Sequence, residues 1–170
     1  IFGEAGTFAM GAPEFVLKPL PIRVEKIVKQ YAQMGLRVLV LAHSTAQIQG
    51  DKLPTAFRPI AILTLSDNIR PDAVETIKWF RENDVAVKVI SGDNPVTVSE
   101  VARRAGIKNA AQFISLEGLS DLEVENAANQ YTVFGRVTPE QKAILIRSIK
   151  KAGNTVAMTG DGVNDILAMK

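Results

Sequence analysis

The chain has 170 residues, a net charge of +2 and 46% hydrophobic residues, the balance of a soluble globular protein with room for one medium domain, or one domain and part of another. Its basic residues are dispersed, the longest runs being Arg103-Arg104 and Lys150-Lys151, so the basic stripe of a nucleic-acid binder is absent and no such partner is expected. With no cysteine and one histidine, His43, the sequence excludes disulfides, thiolate chemistry and all-histidine metal sites, leaving carboxylates and backbone oxygens to hold a hard cation such as Mg²⁺.

Residues 1–18 alternate loosely around Gly3, Gly6, Gly11 and Pro13, which predicts short strands and turns. They lack the charged stretch followed by an apolar run that marks a leader. Over 21–34, Ile22, Ile27, Val28, Tyr31 and Ala32 form a helical stripe stopped by Gly35. Residues 36–42 read as a buried strand. Their run 38–42 is the longest unbroken apolar one, far short of the roughly 18 residues of a membrane span, so a soluble intracellular chain is expected. The polar stretch 43–57, with Gly50 and Pro54, reads as a linker.

From 60 onward strands and helices alternate. A strand at 60–65 precedes a helix opened by Pro71, with Val74, Ile77 and Phe80 on one face. A strand at 85–90 precedes a helix opened by Pro95, with Val98, Val101, Ala102 and Ala105 inward and Gly106 at its end. A helix at about 120–129 leads to a strand at 132–134. Thr138-Pro139-Glu140-Gln141 is a capping box with proline at the first helical position, opening a helix to Lys151. A strand at 155–158 then meets the loop TGDGVND and the start of another helix. This alternation predicts an α/β fold, a Rossmann-like parallel sheet with helices on both faces, behind a small N-terminal α/β remnant. We expect the division at 1–57 and 58–170.

In such a sheet ligands sit at the carboxyl ends of the strands. There the sequence places Ser91-Gly92-Asp93-Asn94-Pro95 after one strand and Thr159 to Asp165 after another, with Lys142 early in the capped helix. Each group has a use around a phosphate. The Ser91 hydroxyl and Gly92 amide can donate to its oxygens at a helix N-terminus, and Lys142 supplies a compact positive charge. Asp161 and Asp165 would repel phosphate and so imply an intervening divalent cation. Taken singly, SGDNP is a capped strand-to-helix turn and Lys142 a surface lysine. GDGVND is harder to read as a mere turn, and ending in Asp165 it fails the dinucleotide fingerprint.

Together, SGD, the lysine of VTPEQK and TGDGVND resemble the second, third and fourth motifs of the haloacid-dehalogenase superfamily, in which an aspartate forms a phospho-enzyme with Mg²⁺. The wording MTGDGVND, SGDNPVTVSEVARRAGI, FGRVTPEQK and LSDNIRP resembles the P-type cation-transporting ATPases more closely, strongly over 60–170. Over 1–42, GAPE and LRVLVLA are similar to stretches of that family's nucleotide-binding domain.

The resemblance implies that Ser91 and Gly92 bind the phosphoryl group, Asp93 orders their loop and Lys142 neutralises phosphoryl oxygens. It implies that Asp161 ligates Mg²⁺, with Asn164 and Asp165 supporting the phosphate and metal shell. Arg37 would reach the phosphates of ATP, and Asp67 and Arg70 would sit at a hinge near the nucleotide. It further implies residues 1–57 as the end of the nucleotide-binding domain and 58–170 as a partial phosphorylation domain. The parent would be a plasma-membrane pump with ATP and a cation as substrates, this chain lying on its cytoplasmic side against the pump's other domains.

Two departures stand out. Met10 occupies the place of the lysine in K-G-A-P-E, and the phosphorylated D-K-T-G-T is absent. Asp51-Lys52 is followed by Leu53-Pro54 and follows no strand, so it is no substitute, and the chain by itself is expected to be inactive. Without the nucleophile strand, expected between 85–90 and 155–158, the sheet would have a gap. The flanking strands would close, or residues 7–17 or a second copy would fill it. The alternatives are a soluble phosphatase of the same superfamily, before which GAPE and LRVLVLA have no purpose, and a non-catalytic nucleotide- or Mg²⁺-binding domain.

Overall fold

The computed structural model describes residues 5–160 and Asp165. Contacts divide the chain into two compact units, Ile1–Asp67 and Asn68–Lys170.

In the first unit β1 (Thr7–Gly11) leads into the short helix α1 (Pro13–Val16) and then α2 (Ile22–Gln33). Helix α2 buries Val24 and Ala32 and ends where Gly35 turns left-handed, at φ 74°. Strand β2 (Arg37–Ser44) alternates strictly, with Val38, Val40, Ala42 and Ser44 buried, as a strand with one face on a core should. Val40 and Ala42 meet Leu17 and Val24, with Phe57 and Ile62 packed alongside. Burying Val40, Leu17 and Val24 contributes about 1.5–3 kcal/mol each. Both β1 and β3 (Arg58–Leu65) pair antiparallel with β2, so the order is β1-β2-β3. The strand expected at 60–65 therefore belongs to this sheet, and the division falls after Asp67 instead of ahead of residue 58. Residues 7–11, considered as a filler for the parallel sheet, are occupied by β2.

The second unit holds α3 (Pro71–Glu82), β4 (Val89–Ile90), α4 (Pro95–Arg104), β5 (Phe113–Ser115), α5 (Asp121–Ala127), β6 (Val133–Gly135) and α6 (Pro139–Lys151). Strand β6 lies between β4 and β5 and runs parallel to both. Its neighbouring residues Val133 and Phe134 point to opposite faces. Val133 packs with Val98, Ala102 and Ala110 around α4, whereas Phe134 packs with Val124, Ala127, Leu145 and Ile149 of α5 and α6. Helices thus cover both faces, as the alternation predicted.

Two strands differ from expectation. The one predicted at 85–90 is reduced to Val89–Ile90, and 155–158 forms no strand. A parallel strand exists through its neighbours' hydrogen bonds, and among the described residues β4 has a strand partner on one side, β6. Among the described residues the flanking segments do not close on each other. Helix α3 forms as its proline and apolar spacing predicted but buries none of its residues, leaving Trp79 57% exposed.

Candidate functional site

The carboxyl ends of β4 and β6 meet where both chains turn into helices. Ser91 continues the β4 ladder by donating its N–H to the Phe134 carbonyl at 2.9 Å. The Ser91 carbonyl in turn accepts from Val137 N–H at 3.1 Å. The Asp93 carbonyl accepts from Arg136 N–H at 2.9 Å, and Arg136 Nη1 donates to the Gly92 carbonyl at 3.2 Å. Asn94 caps α4, its Oδ1 accepting from Val96 N–H at 3.0 Å, and Pro95 supplies the first helical residue. Gly135 permits this crossing, since a Cβ there would lie 2.5 Å from Pro95 Cα.

Inside the loop, Ser91 Oγ accepts from Asp93 N–H at 3.1 Å, which leaves the hydroxyl hydrogen available to an outside acceptor. Gly92 is exposed, and a Cβ on it would meet nothing nearer than the Val137 carbonyl at 3.9 Å. That openness suits close approach of a ligand to the loop backbone.

Lys142 stands in the first turns of α6, behind the predicted capping box: Gln141 N–H donates to Thr138 Oγ1 at 3.3 Å, and Thr138 N–H to Gln141 Oε1 at 3.1 Å. Gln141 also donates from Nε2 to the Leu116 carbonyl at 2.9 Å, tying the helix start to the end of β5. Lys142 Nζ donates to Asp165 Oδ1 at 2.6 Å, with 15% and 10% of the two side chains exposed. Gly160 abuts the same carboxylate, where a Cβ would come within 2.3 Å of Oδ2. The last aspartate of TGDGVND therefore meets the lysine of VTPEQK. Asp161, the expected Mg²⁺ ligand, and Asn164 lie outside the described residues.

Of the remaining candidates, Arg37 opens β2, exposed and opposite Leu65, and Asp67 is the exposed last residue of the first unit. Arg70 belongs to the second unit, where Nε and Nη2 donate to Asp72 at 3.1 and 2.6 Å. That hydrogen bond raises the Arg70 pKa and lowers that of Asp72. Asp51 and Lys52 are exposed in a turn closed by a Gln49–Lys52 bridge. The sequence reading assigned nothing to Arg136 or Gly135. The triplet FGR just ahead of the capping box was the available signal, but nothing local says that it reaches residues 91–95.

In its donor chemistry the site suits a hard cation and a phosphate together. The oxygens of TGDGVND favour Mg²⁺, and the Asp165 carboxylate among them is held at one oxygen by a largely buried ammonium.

A family model for haloacid dehalogenase-like hydrolases matches residues 6–170. A probable cation-transporting ATPase, exp7, of Streptococcus pneumoniae is 42% identical over 168 residues, 97% of this chain and 21% of that protein. The calcium-transporting ATPase CtpE of Mycobacterium tuberculosis is 40% identical over 169 residues, 99% and 21% respectively. The magnesium-transporting ATPase, P-type 1, of Salmonella typhimurium is 32% identical over 150 residues, 84% and 16%. The chain thus spans about a fifth of the length of these relatives.

Proposed function

The chain belongs to the haloacid dehalogenase-like hydrolase family, and on that footing we propose that it forms the phosphoryl-handling part of an ATP-driven P-type cation pump. The observation that carries this reading is the Lys142–Asp165 ion pair, 2.6 Å long and largely buried at the carboxyl edge of a parallel sheet. Burying two charges costs desolvation, which a site that serves a charged ligand offsets.

Ser91 and Gly92 bind phosphoryl oxygens through the hydroxyl and the exposed backbone, while Asp93 shapes their loop. Lys142 supplies positive charge to the phosphoryl group and passes from Asp165 to it when it arrives. Mg²⁺, when bound, neutralises charge developing on the transferred group, with Asp161 as ligand and Asn164 and Asp165 in support. The accepting aspartate lies outside these 170 residues, so they stabilise transfer from ATP by position and charge.

The first unit is then the end of the nucleotide-binding domain, with Arg37 directed at nucleotide phosphates and Asp67 and Arg70 beside the joint. The chain lies on the cytoplasmic side of its membrane, among the pump's other domains. No helix among the described residues is long and apolar enough to cross a membrane, and transported-ion selectivity belongs to membrane segments. A soluble phosphatase is the weaker reading, because the match to cation-transporting ATPases runs through both units. Among the described residues α3 buries none of its side chains and β4 is an edge strand, which supports self-association of the chain on its own.

The test is titration of the labelled 170-residue chain with orthophosphate and Mg²⁺, followed by amide resonances. Shifts at Ser91, Gly92 and Asp165 are expected. Shifts confined to other surfaces would overturn the assignment.

A further inference from the structure

Three consecutive carbonyls of the phosphate loop are taken by two residues. The Ser91 carbonyl accepts from Val137 N–H at 3.1 Å, the Gly92 carbonyl from Arg136 Nη1 at 3.2 Å, and the Asp93 carbonyl from Arg136 N–H at 2.9 Å. A peptide unit is planar and trans, so its N–H points opposite to its C=O. Fastening the carbonyls of residues 91–93 toward Arg136 and Val137 therefore turns the N–H groups of Gly92, Asp93 and Asn94 the other way.

The side-chain bond governs the middle unit. With the Gly92 carbonyl held by the guanidinium, Asp93 N–H faces Ser91 Oγ, where it is found at 3.1 Å. That donation occupies a lone pair of the hydroxyl and leaves its hydrogen to point away from the loop.

Arg136 does this from an unusual backbone. Its φ is 53°, the left-handed region that glycine enters freely and a long side chain enters at a cost. Such strain persists where the surrounding structure holds it and gathers at functional sites. Arg136 is intermediate in exposure and its bond to Gly92 lies at an exposed surface, so the bond must hold against competition from water.

We infer that Arg136 is a positioning residue: its guanidinium, acting through the Gly92 carbonyl and Asp93 N–H, aims the Ser91 hydroxyl and the loop amides at the phosphoryl group. The inference rests on the reading of residues 91–93 as a phosphate loop. Arg136 need not touch the phosphoryl group to do this.

Arg136→Gly separates the two roles of the residue, because glycine keeps the left-handed backbone and its N–H while removing the guanidinium. In the 170-residue chain without ligand, amide exchange at Asp93 should quicken about tenfold, the loss of one charge-assisted hydrogen bond, while exchange at Leu145 in α6 stays unchanged. Orthophosphate binding, read from the Ser91 amide shift, should weaken by about the same factor. Added guanidinium ion should recover part of both effects, and Arg136→Lys should recover charge without the planar fork and so only part.

Unchanged Asp93 exchange in Arg136→Gly would overturn the inference. So would faster exchange at Asp93 and Leu145 together with no guanidinium rescue, since that describes general loosening. If the unsubstituted chain binds no orthophosphate at Ser91 while Arg136→Gly still frees Asp93, the brace stands and the phosphate reading falls.

Discussion

Lys142 Nζ donates to Asp165 Oδ1 across 2.6 Å, joining two residues 23 apart in sequence with little of either side chain exposed. Breaking such a pair from one side leaves an uncompensated charge, which costs about 3 kcal/mol for buried examples. Lys142→Met and Asp165→Asn should each lower the denaturant midpoint accordingly. The double variant should lose much less than the two losses combined, since neither charge is stranded. Additive losses in urea melts would show that the two groups do not depend on each other.

Phosphorylation should be absent from the chain by itself. Its sequence contains no D-K-T-G-T, and on the proposed function the remaining groups only stabilise a phosphoryl group that another residue must accept. Incubation with labelled ATP and Mg²⁺ should leave no hydroxylamine-sensitive label. In a longer chain carrying the accepting aspartate, Asp161→Asn should remove most labelling and Asp51→Asn should leave it intact. Stoichiometric label on the 170-residue chain would mean that one of its own aspartates accepts.

Gly135 and Gly92 should respond to alanine in opposite ways. At Gly135 the new Cβ meets Pro95 backbone at 2.5 Å, so strand and helix must move apart, costing on the order of 1–3 kcal/mol. At Gly92 the nearest atom is 3.9 Å away, and stability should change by about 0.5 kcal/mol or less. A fall in orthophosphate affinity for Gly92→Ala at unchanged melting temperature would then report ligand approach and not folding.

Acid should weaken the start of α5. Ser120 Oγ and N–H both donate to Glu123, at 2.6 and 2.8 Å, and these bonds hold the glutamate pKa below its ordinary value. A carboxyl depressed by folding lends its stabilisation fully above the ordinary glutamate value and loses it as pH falls through the lowered one. Glu123→Gln should flatten this part of the stability–pH curve by lowering the neutral-pH stability toward the acid value. A curve of the same slope in the variant would assign the acid response elsewhere.

Self-association should pass through α3. Among the described residues Val74, Trp79 and Val85 are exposed, and β4 has one strand partner. Sedimentation should show concentration-dependent oligomers between about 10 and 200 µM, reduced in Trp79→Glu. A monomer throughout that range, with the same sedimentation in the variant, would remove the proposal.

Sequence alone determined the longer helices and the chemistry at their starts, though it missed the four-residue α1 within 1–18, where strands and turns were expected. Pro71, Pro95 and the Thr138–Gln141 box each mark a helix by contacts within four residues, so α3, α4 and α6 begin where the residues say. The loops SGDNP and TGDGVND and the lysine of VTPEQK could likewise be placed at strand and helix ends by local spacing. Strands were less legible, because a strand is completed by a partner whose position in the chain is not fixed by local sequence. Residues 155–158 have strand composition yet form none, and 113–115 form one beside β6 without an obvious signal. Residues 60–65 were expected in the parallel sheet but, within β3, pair with β2. Only tertiary structure decided the role of Arg136, whose hydrogen bond to Gly92 spans 44 residues. No window of sequence contains both ends of that bond, and its geometry depends on β4 and β6 lying side by side.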